Sequence, residues 1–206
     1  VAEQRITIPC GAIDLEALAD MTPARKAAVV THPHPLYGGD MHNNVVGAVA
    51  AAYGQQGFRT LRFNFRGVGR SGGEHGEGDA EQQDVAAALS FLSEDGAASI
   101  DLAGYSFGAW VNARGIGGFT PVDRMVMVAP PVKLLDFSTL EAEPRLRLVV
   151  VGSRDDFAPV GEVERLLPDW NPQAELMVLD GADHFFWNRT AELGRLLEGF
   201  LQRTAG

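Results

Sequence analysis

Short apolar runs of strand length recur along this chain with segments of helical spacing between them, and that alternation limits the available folds more than any other feature. Arg5 to Pro9 and Ala12 to Leu18, separated by a Cys-Gly turn, read as an opening antiparallel hairpin. Strand-like runs follow at Ala27 to Thr31, Phe58 to Phe65, Ile100 to Ala103, Arg124 to Ala129, Leu146 to Val151 and Leu176 to Leu179. Helical spacing fills Val45 to Gln56, Ala80 to Ser93, Phe107 to Arg114, Pro159 to Leu167 and Arg189 to Phe200, with Asn43 or Asn44 as the cap of the first. Strands joined through helices require right-handed crossovers, so the expected fold class is α/β: a mainly parallel, twisted sheet in three layers with an antiparallel N-terminal edge. In such sheets, reacting groups gather at the carboxyl ends of the strands.

With 206 residues, 46% of them hydrophobic, the chain can bury one sizeable core, and a single domain over 1–206 is expected. A net charge of −10 opposes phosphate backbones and anionic lipid, so neither nucleic acid nor membrane is an expected partner. The lone Cys10 excludes an intrachain disulfide and reads as a small inert residue. No apolar stretch approaches the roughly 20 residues of a membrane span. A cytoplasmic location is expected, with a removed leader left open because the sequence starts at Val1. Apolar edges are compatible with a homodimer, though no feature demands one.

Gly104-Tyr105-Ser106-Phe107-Gly108 is a G-x-S-x-G sequence set directly between a buried strand and a helix, the context in which this short motif becomes informative. A sharp strand-to-helix turn strains the serine, and only glycine-sized neighbours let the flanking chain pass so close. A serine hydroxyl is a weak nucleophile until a base takes its proton, and the base must be oriented by a carboxylate. The strand at Leu146 opens into Gly152-Ser153-Arg154-Asp155-Asp156, and the strand at Leu176 into Asp180-Gly181-Ala182-Asp183-His184. Acid and base thus follow the serine in the order Ser, Asp, His, with Asp155 or Asp156 as the acid.

These residues resemble the α/β-hydrolase superfamily, and within it the small, lidless bacterial esterases related to dienelactone hydrolase. The resemblance runs from His32-Pro33-His34-Pro35-Leu36-Tyr37-Gly38-Gly39 through Asn64-Phe65-Arg66-Gly67-Val68-Gly69-Arg70-Ser71 to the Asp183-His184-Phe185-Phe186 segment. It implies an α/β-hydrolase fold with Ser106, Asp155 and His184 as catalytic triad, because Gly152, Asp155 and Pro159 match the family's spacing around its acid. It also implies an oxyanion hole made by the backbone N–H of Phe107 and one from the His32–Gly39 loop. Pro33 and Pro35 have no N–H to give, which leaves His34 or Leu36, and the family's pattern favours His34. Only 16 residues, Pro130 to Arg145, separate two strands where relatives insert a helical cap, so no cap domain and an open site are expected.

The expected function is hydrolysis of a small carboxylic ester, or a related small-molecule acyl compound, through an acyl-enzyme. A thioesterase, lactonase, peptidase or acyltransferase would use the same triad, and a non-catalytic binding module would keep only the scaffold. No cofactor and no metal is expected: His32 and His34, with His42 nearby, are too few and too splayed by the loop's prolines, which also forbid regular structure there. Gly67 to Gly72 matches G-x-G-x-x-G, but a dinucleotide loop enters its helix at once, and here Glu74, Gly76 and Gly78 delay it. His75 reads as solvent-exposed, and Trp110, Phe185, Phe186 and Trp187 as core packing before pocket lining.

Overall fold

The computed structural model describes residues 3–204. Chain order is β1 (Gln4–Cys10), β2 (Ile13–Ala19), β3 (Lys26–Thr31), α1 (Asn44–Gln55), β4 (Arg59–Phe63), α2 (Glu81–Glu94), β5 (Ser99–Tyr105) and α3 (Phe107–Gly115). It continues with β6 (Val122–Val128), β7 (Leu146–Gly152), α4 (Val160–Trp170), β8 (Glu175–Leu179) and α5 (Thr190–Arg203). All eight strands join one sheet in the order β1-β2-β4-β3-β5-β6-β7-β8. The β1–β2 and β2–β4 pairings are antiparallel and the remaining five are parallel, as the sequence pattern requires.

Helices cover both faces. α1 packs against α5 on one side, and α2 against α3 on the other. Strands between two helical layers have no solvent face, which is why β3 (after Lys26) and β5 (after Ser99) are buried at every residue rather than alternating. α1 starts where the Asn43 carboxamide accepts the N–H groups of Val45 and Val46 at 2.9 and 3.4 Å. α5 buries Leu193, Leu197, Phe200 and Leu201 on one face. Residues 129–145, between β6 and β7, hold no helix and are pinned by the buried side chains of Phe137 and Leu140, so the carboxyl end of the sheet carries no cap there. Among the described residues no helix is long and apolar enough to cross a membrane.

Two details depart from the sequence reading. Pro35–Tyr37 forms a single 3-10 turn in the loop expected to be irregular, because Pro35 at its first position has its backbone angle already set for a helical turn and no N–H to lose. β4 ends at Phe63 instead of Phe65, since the Phe65 N–H turns to the His32 ring.

The passage from β5 into α3 leaves no room for a side chain at its two glycines. A Cβ on Gly104 would stand 2.6 Å from the Ala109 amide nitrogen, and one on Gly108 would stand 2.7 Å from the His32 carbonyl oxygen. Both obstacles are backbone atoms that cannot swing aside. Gly108→Ala is therefore expected to lower stability by about 1–3 kcal/mol in urea unfolding. Gly161→Ala, at a helical position with open space around it, is expected not to lower it.

Candidate active site

Ser106 sits between β5 and α3 with φ 55° and ψ −118°, a sparsely populated conformation for a residue with a side chain, costing on the order of 1–3 kcal/mol. The turn fixes the hydroxyl at the carboxyl edge of the sheet and presents the first turn of α3 beneath it. Two other strand ends converge there. The Ser106 Oγ lies 2.9 Å from His184 Nε2, and His184 Nδ1 lies 3.0 and 2.9 Å from the two carboxylate oxygens of Asp155. Asp155 is buried and also accepts the N–H groups of Phe157 and Ala158, both at 2.8 Å, whereas Asp156 is exposed. A carboxylate only accepts, so the proton of the neutral imidazole stays on Nδ1 and Nε2 is left as an acceptor for the serine hydroxyl. The choice between Asp155 and Asp156 is thus made by geometry: the first turns inward and the second turns out.

The loops after β7 and β8 touch because Gly152 has no side chain: a Cβ there would stand 2.2 Å from the Ala182 carbonyl oxygen. The Arg154 N–H donates to that same carbonyl at 2.9 Å. From below, the Tyr105 hydroxyl donates to the His184 carbonyl at 3.0 Å. Burial, with Asp155 and Asp183 nearby, pushes the Tyr105 phenol well up and keeps it a donor. Sequence reasoning did not single out Tyr105, although it is the residue before the serine in the motif.

At the β3 end, the Leu36 N–H is engaged by His34 Nδ1 at 3.2 Å, while the amides of His34 and Phe107 have no acceptor among the described residues. The His34 ring packs against Phe107, Tyr37 and His75 at centroid distances of 4.6, 4.9 and 5.1 Å, edge-on to Tyr37 and tilted to the other two. Burial and the neighbouring His75 push the His34 imidazole down, which keeps Nδ1 available to accept. His75 corrects the sequence reading: it is turned inward, with Nδ1 2.8 Å from an oxygen of the fully buried Glu81.

The glycine-rich loop between β4 and α2 is held by carboxylates. Glu81 accepts the N–H groups of Gly76 and Gly78 at 2.8 and 2.7 Å. Glu16 takes that of Arg70 and Asp84 that of Arg66, each at 2.9 Å. These four amides are taken by carboxylates, and a pyrophosphate approaching the loop would meet like charge. Cys10 lies against Asp84, and burial together with that carboxylate pushes its thiol up, away from reactivity.

An open cavity of about 740 Å³ lies over Ser106, walled by Tyr37, Phe107, Leu134, Leu135, Phe157 and Phe185. No Asp, Glu, Lys or Arg side chain among the described residues lines it. Of the aromatic cluster expected to be core, Phe186 is buried, Phe185 is 50% exposed at the cavity wall, and Trp187 is 67% exposed. Trp110 is buried with its indole N–H donating to the Asp136 carbonyl at 2.7 Å.

The chain is similar to several known proteins. A family model described as "Serine aminopeptidase, S33" matches residues 24–170. An uncharacterized protein of Rickettsia prowazekii is 32% identical over 203 residues, covering 94% of this chain and 85% of that one. Among solved structures, a lidless α/β serine hydrolase of Xanthomonas campestris is 31% identical with a TM-score of 0.88, covering 98% of this chain and 95% of its own. An α/β serine hydrolase homologue of Coxiella burnetii is 33% identical with a TM-score of 0.89, covering 98% of both chains.

His32, considered above as a metal ligand, has both ring nitrogens engaged: Nε2 accepts the Phe65 N–H at 2.9 Å and Nδ1 lies 2.7 Å from the Pro33 carbonyl. Burial pushes this imidazole from 6.5 down to about 4. Between those values the unfolded chain binds a proton that the native state refuses, so stability falls as pH drops from about 6.5 to about 4. The loss is expected to reach about 3 kcal/mol, and His32→Gln, whose amide oxygen accepts without titrating, should flatten this acid limb in denaturation curves.

Proposed function

We infer the function of this chain from its family: it belongs to the α/β serine hydrolases of the family described as "Serine aminopeptidase, S33". The reading we propose is hydrolysis of a small, uncharged carboxylic ester with Ser106 as nucleophile. The observation that carries it is the continuous chain from Ser106 Oγ through His184 to the buried Asp155, opening into an uncharged cavity.

In this reading the Ser106 oxygen attacks the acyl carbon as its proton passes to His184 Nε2, and Asp155 stabilises the imidazolium that forms. The developing oxyanion is received by the amides of Phe107 and His34, neither of which has an acceptor among the described residues. His184 then protonates the departing alcohol. Water enters and repeats the sequence, which releases the acid and restores the serine.

An aminopeptidase must hold an α-ammonium group, and the described cavity lining offers no carboxylate to pair with it. The open mouth and the lack of a cap over residues 129–145 also favour small or exposed acyl groups over long lipids, which need a covered tunnel. A cytoplasmic, dienelactone-hydrolase-like esterase with no nucleic-acid or membrane partner is the corresponding proposal at the level of the cell.

A panel of acetate, butyrate and octanoate p-nitrophenyl esters, with alanine p-nitroanilide as the aminopeptidase substrate, tests this reading. Turnover of the short esters well above that of the anilide is expected. Ser106→Ala should lower kcat at least about 10⁴-fold and Asp155→Asn about 10²–10⁴-fold, with both variants still folded. Faster cleavage of the anilide than of every ester would reverse the assignment.

A further inference from the structure

The two ends of a substrate are distinguished by the chemistry at Ser106, and this reading of the site gives each end its own wall. The carbonyl oxygen faces the amides of Phe107 and His34, whereas the departing oxygen must come within reach of His184 Nε2 to take its proton. The leaving group therefore lies on the His184 side.

That side is aromatic. Phe157 meets the His184 ring edge-on at 4.8 Å and 88°, and Phe185 meets it at 5.5 Å and 90°. The two phenyl rings stand 6.3 Å apart at 87°, so they form a corner beside the imidazole. Phe185 is held there although half-exposed: the buried Phe186 anchors the next residue, and the Asp183 carboxylate accepts the N–H groups of Phe185 and Trp187 at 3.1 and 3.3 Å. A half-exposed phenylalanine fixed at a cavity wall leaves apolar surface that a ligand can cover, and edge-to-face contacts favour an aromatic ring there. The flanking charges are Asp156 and Asp183, and no cationic side chain among the described residues lines the cavity. A phosphate-bearing carrier thiol would find no counter-charge.

We propose that the leaving group is an uncharged alcohol bearing an aromatic ring, received between Phe157 and Phe185; this rests on the ester-hydrolase reading above. In the step concerned, the bond from Ser106 Oγ to the acyl carbon forms and the bond from that carbon to the alcohol oxygen breaks. The serine proton passes through His184 Nε2 to the alcohol, with no change in oxidation state.

Benzyl acetate and ethyl acetate share one acyl group and have leaving alcohols of similar reactivity, so the ratio of their kcat/KM values reports recognition of the leaving group. The native protein is expected to favour benzyl acetate at least about tenfold. Phe185→Ala should reduce that ratio about tenfold, Phe185→Leu should fall between, and Trp187→Ala, outside the cavity lining, should leave it unchanged. Labelling of Ser106 by a fluorophosphonate, whose own leaving group is fluoride, reports an intact site in each variant. A native ratio near one, or a ratio unmoved by Phe185→Ala in protein that still labels, overturns the aromatic leaving-group site while sparing the serine hydrolase. Native protein that neither labels nor cleaves any ester overturns both.

Discussion

The strained turn at Ser106 is the constraint around which the carboxyl edge of this sheet is arranged. A serine with φ 55° between a strand and a helix stands free of both, but only because Gly104 and Gly108 let α3 and the β3 loop approach within contact of the backbone. The same economy of space recurs at Gly152, where the loop carrying Asp155 passes against the loop carrying His184. Three strand ends are thereby brought within hydrogen-bond reach of one another, and the energy stored in the turn is borne by burial of the strands beneath it.

Charge around the site is partitioned. Glu16, Glu81 and Asp84 are buried, yet each accepts backbone N–H groups of the glycine-rich loop and so stiffens the floor behind His34 and His75 instead of facing a ligand. The cavity itself is uncharged, which raises the worth of any dipole aimed into it and makes a neutral acyl compound the natural occupant in our reading. His32 belongs to the same scaffold. It links the β3 and β4 loops as a neutral ring, at the cost of making the fold acid-sensitive.

Much of this was legible in the sequence. The strands were marked by β-branched runs too apolar to have a wet face, the elbow by its pentapeptide in a strand-to-helix context, and the open site by the short stretch from Pro130 to Arg145. Other features were hidden because they depend on how the loops fold back, which residue types and spacing alone do not specify. His75 looked exposed in a glycine-rich loop, and nothing local announces that Glu81 folds back onto it. Asp155 and Asp156 are the same residue type side by side; the spacing of Gly152, Asp155 and Pro159 favoured the first, and the structure separates them by which one turns toward the Phe157 and Ala158 amides. The aromatic segment 185–187 divides by backbone twist, with φ 51° at Phe186 sending one ring into the core and its neighbours outward.

If Ser106 is an activated nucleophile, exposure to a fluorophosphonate changes the mass of the intact protein. One adduct on the native chain and none on Ser106→Ala is the predicted result. A folded native protein that takes up no probe, or a Ser106→Ala variant labelled as fully as the native chain, would contradict it.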